Sequence, residues 1–187
     1  MVDILIANRA SSNQLLLNQG KGRYSNVIVD LPGGALDTES IVLLDVNGDD
    51  NLDILVGNYK QSNQLLINQG GGTTFEVFDL PDGDLNTVSL VAADVDGDNL
   101  LDMIIGNYGQ LNQVLLNDGN GTYSRVIDLP GNYSSTKSVA ATDVNNDGLI
   151  DIIISNNEQP NQLLINTEGN DNAFGVLDLP GGSMNTH

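Results

Sequence analysis

The chain has 187 residues, with 25 acidic side chains, 6 basic ones and a formal net charge of −19. That balance argues against nucleic acid or an anionic membrane surface as a partner. The absence of Cys excludes disulfides and thiol chemistry, and no apolar run reaches the roughly 18 residues that a membrane-spanning helix needs. The length suffices for a real core in one or two domains. The opening Met-Val-Asp-Ile-Leu-Ile has neither a basic start nor a small-residue cleavage site, so no signal peptide is expected.

In chain order, the first signal is self-similarity. Asn13-Gln14-Leu-Leu-Leu-Asn18 recurs at 63–68, 112–117 and 161–166, and Asp30-Leu31-Pro32 recurs at Asp79, Asp128 and Asp178. We read a single repeat domain over 1–187, divided into an incomplete unit (1–36) and three complete ones (37–85, 86–134 and 135–187). The first unit opens at what is the second strand elsewhere, with Asp3 aligned to Asp53, and the tail 179–187 aligns with 31–39.

The 86–134 unit shows the pattern. Ser89-Leu-Val-Ala-Ala is an apolar segment running into the acidic stretch Asp94–Asp102, and Asp102-Met-Ile-Ile-Gly106-Asn107 leaves it. A polar turn leads to Gln113-Val-Leu-Leu-Asn117, and a Gly-rich turn, Asp118-Gly-Asn-Gly121, leads to a last segment, Tyr123–Leu129. Connections this short join antiparallel neighbours, so each complete unit should be a four-stranded meander. Successive apolar residues in the middle strands predict burial on both faces. The small Ala92, Ala93, Ala140 and Ala141 suit a crowded place near an axis, and the more polar last strand suits an outer edge. No helical stripe outlasts a turn, so helix content should be close to nil. Four-stranded sheets repeated every 40–50 residues or so make a β-propeller. The expected fold class is all-β, a propeller or partial propeller of about four antiparallel blades.

The acidic stretch occurs three times, beginning at Asp45, Asp94 and Asp143, at a spacing of 49 residues. Oxygen-bearing side chains hold positions 1, 3, 5 and 9 of each copy, and position 6 is Asp50, Asn99 or Gly148, types that tolerate a left-handed turn. Carboxylates so close repel by roughly 4 kcal/mol per pair at about 4 Å and an effective dielectric near 20. A cation among them turns that repulsion into binding. All-oxygen donors select a hard ion, and a flexible acidic loop suits Ca²⁺ better than Mg²⁺. The plain alternative is a set of polar hairpin turns, where these residue types are common, but three copies in register count against it. An EF-hand fails, because its position 12 requires Glu and here that position is Val56, Ile105 or Ile154.

The spacing Asp-x-Asn/Asp-x-Asp-x-x-x-Asp between two strands, followed by Leu-Leu-Asn-Asp-Gly-Asn-Gly-Thr-Tyr at 115–123, resembles the FG-GAP/VCBS repeat family, the calcium-binding propeller blades of integrin α-subunits and many secreted proteins. The resemblance implies three Ca²⁺ sites. Asp45, Asn47, Asp49 and Asp53 would bind by side chain and Asn51 by its carbonyl. The same roles fall to Asp94, Asp96, Asp98, Asp102 and Leu100, and to Asp143, Asn145, Asp147, Asp151 and Leu149. Such propellers usually have about seven blades, whereas this chain supplies about four. The first unit retains only Asp3 of its loop, so no complete site is expected there.

A second constellation is the repeated Asn and Gln: Asn58, Asn107 and Asn156 close the second strand, and Asn63-Gln64, Asn112-Gln113 and Asn161-Gln162 open the third. It supports either turn and edge hydrogen bonding or a polar site for a sugar or protein loop, with Tyr59 and Tyr108 as stacking faces. Arg9 and Asn157 stand at the Tyr positions of the outer units. Tyr24, Phe75, Tyr123 and Phe174 recur at the start of the last strand and read as packing anchors.

The expected function is a calcium-stabilised extracellular or cell-surface module recognising a glycan or protein, with calcium in a structural role. The alternative is a self-assembling structural protein whose open ends join other copies. An enzyme is not expected, since the single His is terminal, Cys is absent, and the recurring Asp residues are committed to the loops.

Overall fold

The computed structural model describes residues 3–131, 133–167 and 173–180; residues 181–187 of the tail lie outside the described residues. Among the described residues there are thirteen strands and no helix, and every strand pairing is antiparallel. Unit 1 is a three-stranded sheet of β1 (Ile4–Ile6), β2 (Gln14–Gly20) and β3 (Arg23–Asp30). Unit 2 uses β4 (Thr38–Leu44), β5 (Asp53–Asn68) and the start of β6 (Phe75–Ala93). Unit 3 takes the rest of β6, then β7 (Asp102–Gln110), β8 (Gln113–Asn117) and β9 (Tyr123–Asp128). Unit 4 is β10 (Ser134–Thr142), β11 (Asp151–Asn156), β12 (Gln162–Asn166) and β13 (Phe174–Asp178).

The hairpins that carry the acidic loops share one register. Val42 pairs with Leu55, Val91 with Ile104 and Ala140 with Ile153. Unit 2 keeps the sequence expectation at one join and departs from it at the next. β5 folds back on itself at the expected polar turn: Lys60 is left-handed (φ 60°), the Asn58 amide donates to Asn63 Oδ1 at 2.7 Å and the Asn68 amide donates to Asp53 Oδ1 at 2.8 Å. Tyr59, Gln61 and Ser62 also find ladder partners in Asn86, Leu85 and Asp84 of β6. The departure is β6, which continues from the edge of one unit into the first strand of the next.

The double-sided burial of the middle strands has a simple origin. Successive strand residues point to opposite faces, and each face meets a different unit. Ile54 and Val56 pack with Leu15 and Leu31 of unit 1. Leu55, between them, packs with Met103, Ile105 and Leu115 of unit 3. Ile104 turns the other way, towards Val139, Ile152 and Ile154 of unit 4. Three apolar layers thus hold four sheets face to face. Leu31, Leu80 and Leu129, each from an Asp-Leu-Pro motif, supply one buried side chain per layer.

Neighbouring first strands are tied directly. The Leu90 amide donates to Ser40 Oγ at 3.1 Å, and the Val139 amide donates to Ser89 Oγ at 3.2 Å. The crowding expected at the alanines falls instead on glycines. A Cβ at Gly57 would lie 2.9 Å from Thr87 Cγ2, and one at Gly106 would lie 2.9 Å from Val139 Cγ1. Ala140 is exposed, while Ala92, Ala93 and Ala141 pack at the margins of the layers. Phe75, Tyr123 and Phe174 anchor the layers as expected, whereas Tyr24 is exposed.

Candidate metal centre

Each acidic loop connects the first strand of its unit to the second, and its own carboxylates organise the turn. In the Asp94 loop, Asp94 Oδ1 accepts from the Gly97 amide (2.8 Å) and Oδ2 accepts from the Asn99 amide (3.0 Å). Asp96 Oδ1 accepts from Asp98 N at 3.3 Å, and Asp98 Oδ1 accepts from Leu100 N at 2.8 Å. The Asp45 loop repeats this pattern, with Asp45 accepting from Gly48 and Asp50, Asn47 from Asp49, and Asp49 from Asn51. So does the third loop, where Asp143 accepts from Asn146 and Gly148, Asn145 from Asp147, and Asp147 from Leu149. Position 6 is left-handed as expected, with φ of 66° at Asp50, 69° at Asn99 and 88° at Gly148. Position 4 is left-handed too, at Gly48, Gly97 and Asn146, which the sequence reading missed. Two such residues within three coil the loop tightly enough to turn its oxygens inward.

Position 9 does a different job. Asp102 is fully buried, and its carboxylate clamps the loop to the sheet: Oδ2 accepts from Val95 N (2.8 Å) and Oδ1 from Asn117 N (2.9 Å). Asp53 does the same with Val46 and Asn68, and Asp151 with Val144 and Asn166. Burial pushes the Asp102 carboxyl up to about 6, against the pull of the two amides, and Asp96 and Asp98 push it further. Burial also raises Asp53. Burial raises Asp96 too, helped by the neighbouring Asp98. At position 1 the amides win. Asp143 is held below its ordinary value chiefly by the Gly148 amide, and at Asp45 burial pushes up but the amides of Asp50, Gly48 and Asp49 outweigh it.

Asp94, Asp96 and Asp102 each bring a carboxylate oxygen within 4.8 Å of the others. Asp98 lies outside that trio. Carboxylates so gathered, one of them buried and destabilised by its neighbours, fit a divalent cation: the ion would reverse the repulsion that raises Asp102. The donors are all oxygen, which suits Ca²⁺. In the other two loops Asn47 and Asn145 replace one carboxylate of the trio.

A side chain that the loop pattern does not contain completes the setting. The Nδ2 of Asn117, at the end of β8, donates to Val46 O in the loop of the preceding unit (3.2 Å) and to Leu101 O in its own (3.3 Å). Asn166 donates to Val95 O at 2.9 Å. The recurrence of this Asn after each Leu-Leu segment was the available signal.

The Asn and Gln constellation serves the hairpins. Asn58, Asn107 and Asn156 each donate their backbone N–H to the Oδ1 of Asn63, Asn112 or Asn161 and their Nδ2 to a carbonyl four residues on. Gln64, Gln113 and Gln162 donate to Asp79, Asp128 and Asp178 of the adjacent strand. Tyr59 and Tyr108 stand apart from this network, on a groove of about 570 Å³ shared with Arg9, Glu39, Val88 and Lys137.

No curated protein matches the chain. The FG-GAP-like repeat matches three times, over residues 1–56, 45–105 and 94–154, and the second and third matches begin at Asp45 and Asp94, the first residues of two acidic loops. With the matches spanning most of its length, this chain belongs to the FG-GAP-like repeat family.

Proposed function

We propose that the chain is a calcium-stabilised, non-catalytic binding module whose face-to-face sheets are blades of a β-propeller. The observation that carries the reading is the convergence of Asp94, Asp96 and Asp102 on one point inside a hairpin that ties two strands. Each loop draws its ligands from one local segment, so a bound ion fastens its own hairpin, and its binding energy becomes folding energy by linkage. Loops of this kind work where calcium is millimolar, which favours an extracellular or cell-surface setting. The ties from Ser40 to Leu90 and from Ser89 to Val139 place consecutive first strands side by side, as inner strands of blades would be.

The test is thermal melting in millimolar calcium and in chelator. Free calcium at about 100 times the dissociation constant stabilises by about 2.7 kcal/mol per site, so the melting temperature should rise by several degrees. Equal melting in both conditions would sink the reading.

A second reading, self-assembly, is favoured by the two outer faces. Ile4 of unit 1 is 39% exposed where its counterpart Ile54 is 2%, and Val144 of unit 4 is 39% exposed where Val46 is 3%. These faces are the two halves of a layer the chain forms internally three times, so copies could join head to tail. Sedimentation at rising concentration tests this: growing mass that Val144→Asp abolishes supports it, and a constant monomer mass rejects it.

A further inference from the structure

Three of the chain's 6 basic residues, in a molecule of net charge −19, gather at one place. Arg9 and Lys137 line the groove that holds Tyr59 and Tyr108, and the Lys60 ammonium lies 5.1 Å from the centre of the Tyr59 ring. Lys137 sits likewise over Tyr108, at 5.3 Å. All four units contribute: Arg9 from unit 1, Glu39 and Tyr59 from unit 2, Val88 and Tyr108 from unit 3, and Lys137 from unit 4. Glu39 stands near the start of β4, whereas the acidic loop follows its end at Leu44. Five residues of strand separate the two by about 17 Å, so the groove and the metal centre are different places.

The charges in the groove are not all spent. Arg9 is paired with Glu39, the one ion pair among the described residues. Lys60 and Lys137 have ring faces beneath them and no carboxylate partner among the described residues. A cation–π contact holds an ammonium in place without neutralising it. Tyr108 is 37% exposed, leaving part of its amphipathic ring open to a ligand. The backbone at the rim is already in ladders, with Tyr59 paired to Asn86 and Tyr108 to Ser135. An extended peptide would therefore find no free strand edge to add to.

We propose that this groove binds a carboxylated carbohydrate, an oligosaccharide containing uronic acid, with sugar rings against Tyr59 and Tyr108 and carboxylates on Lys60 and Lys137. The assignment rests on reading the chain as a binding module and names the ligand class and its site. Sugar rings offer C–H faces to tyrosine, and their carboxylates make charge-assisted hydrogen bonds to the ammoniums.

Calorimetry on the full chain in calcium tests it with three probes: a tetrasaccharide alternating glucuronate and N-acetylglucosamine, chitotetraose, which lacks the carboxylates, and a hexa-aspartate peptide. The acidic tetrasaccharide should bind about tenfold more tightly than either control, and Lys137→Glu or Lys60→Glu should each weaken it by about tenfold. Tyr108→Ala should weaken it as well, with calcium-dependent melting unchanged in every variant. Equal binding of chitotetraose, preference for the peptide, indifference to the substitutions, or no binding at millimolar tetrasaccharide would each overturn the assignment. Such a failure with calcium-dependent melting intact removes the ligand and leaves the calcium-stabilised fold standing. Lost calcium dependence with tetrasaccharide binding retained does the opposite.

Discussion

The Asp94 and Asp143 loops share a sequence pattern and an internal hydrogen-bond scheme, yet they keep different company. Val95 is 1% exposed, sealed by unit 4, and its carbonyl is held by Asn166. Val144, at the same place in the next repeat, is 39% exposed and packs in none of the three layers. Local sequence thus shapes the loop, while the neighbouring unit decides how firmly it is held. In a stack of repeats, stability is the sum of such unit and interface terms.

The comparison can be broken most severely at position 9. Asp102→Ala removes a buried acceptor from two amides, each bond to a charged group being worth about 1.5–3 kcal/mol. We expect a loss of about 4 kcal/mol by urea melting. Asp151→Ala should cost about half as much, because the Val144 amide lies at an exposed residue where water can replace the carboxylate. Equal losses would show that cover by the next unit is unimportant.

The linkers sharpen the same contrast. Asp82 stands where the corresponding links have Gly33 and Gly131. It is buried, one carboxylate oxygen has no partner, and Asn63 Nδ2 donates to the other. Burial pushes its carboxyl from 3.8 up to about 6. Because the folded value lies above the unfolded one, this group favours the fold below pH 4 or so, and that contribution is lost as pH rises to about 6. Asp82→Asn should therefore raise stability at neutral pH by about 2 kcal/mol, with the gain vanishing near pH 4. A gain independent of pH would reject this origin.

Next come the valines. Val46→Ala and Val95→Ala should each cost about 1.6 kcal/mol or somewhat more, from two lost methyl groups and a cavity. Val144→Ala should cost little. The smallest effect concerns charge within a loop. Asp96 gives the second loop a carboxylate where the others have Asn47 and Asn145. Ligand charge tunes calcium affinity, so calorimetry should find this loop tightest, and Asp96→Asn should bring it to the level of its neighbours. Unchanged affinity would refute the charge argument.

Much of this was legible in sequence because the unit repeats. The apolar runs around Leu55, Ile104 and Ile153 announce the strands, and the Asp and Asn spacing announces the loops. The relation between units was harder to see. Asn117 reaches Val46 across 71 residues, and nothing within one repeat reveals that partner. Gly57 and Gly106 look like turn residues beside Asn, yet they mark the close approach of the following first strand. Ser155 holds that place in unit 4. The turn at Tyr59–Ser62 was legible from composition, but its ladder with Asn86, Leu85 and Asp84 was not, because those partners lie in a distant segment.

The reach of Asn117 and Asn166 has a direction. Each grips the loop before its own, as roof tiles overlap one way, every tile pinning the edge of the one beneath. Damage to such a roof starts at the course with nothing laid over it and travels back from there. Peeling of this molecule should begin at the Asp143 loop and release the Asp94 and Asp45 loops in turn, an order that hydrogen exchange would record as protection rising from the Asp143 loop through the Asp94 loop to the Asp45 loop.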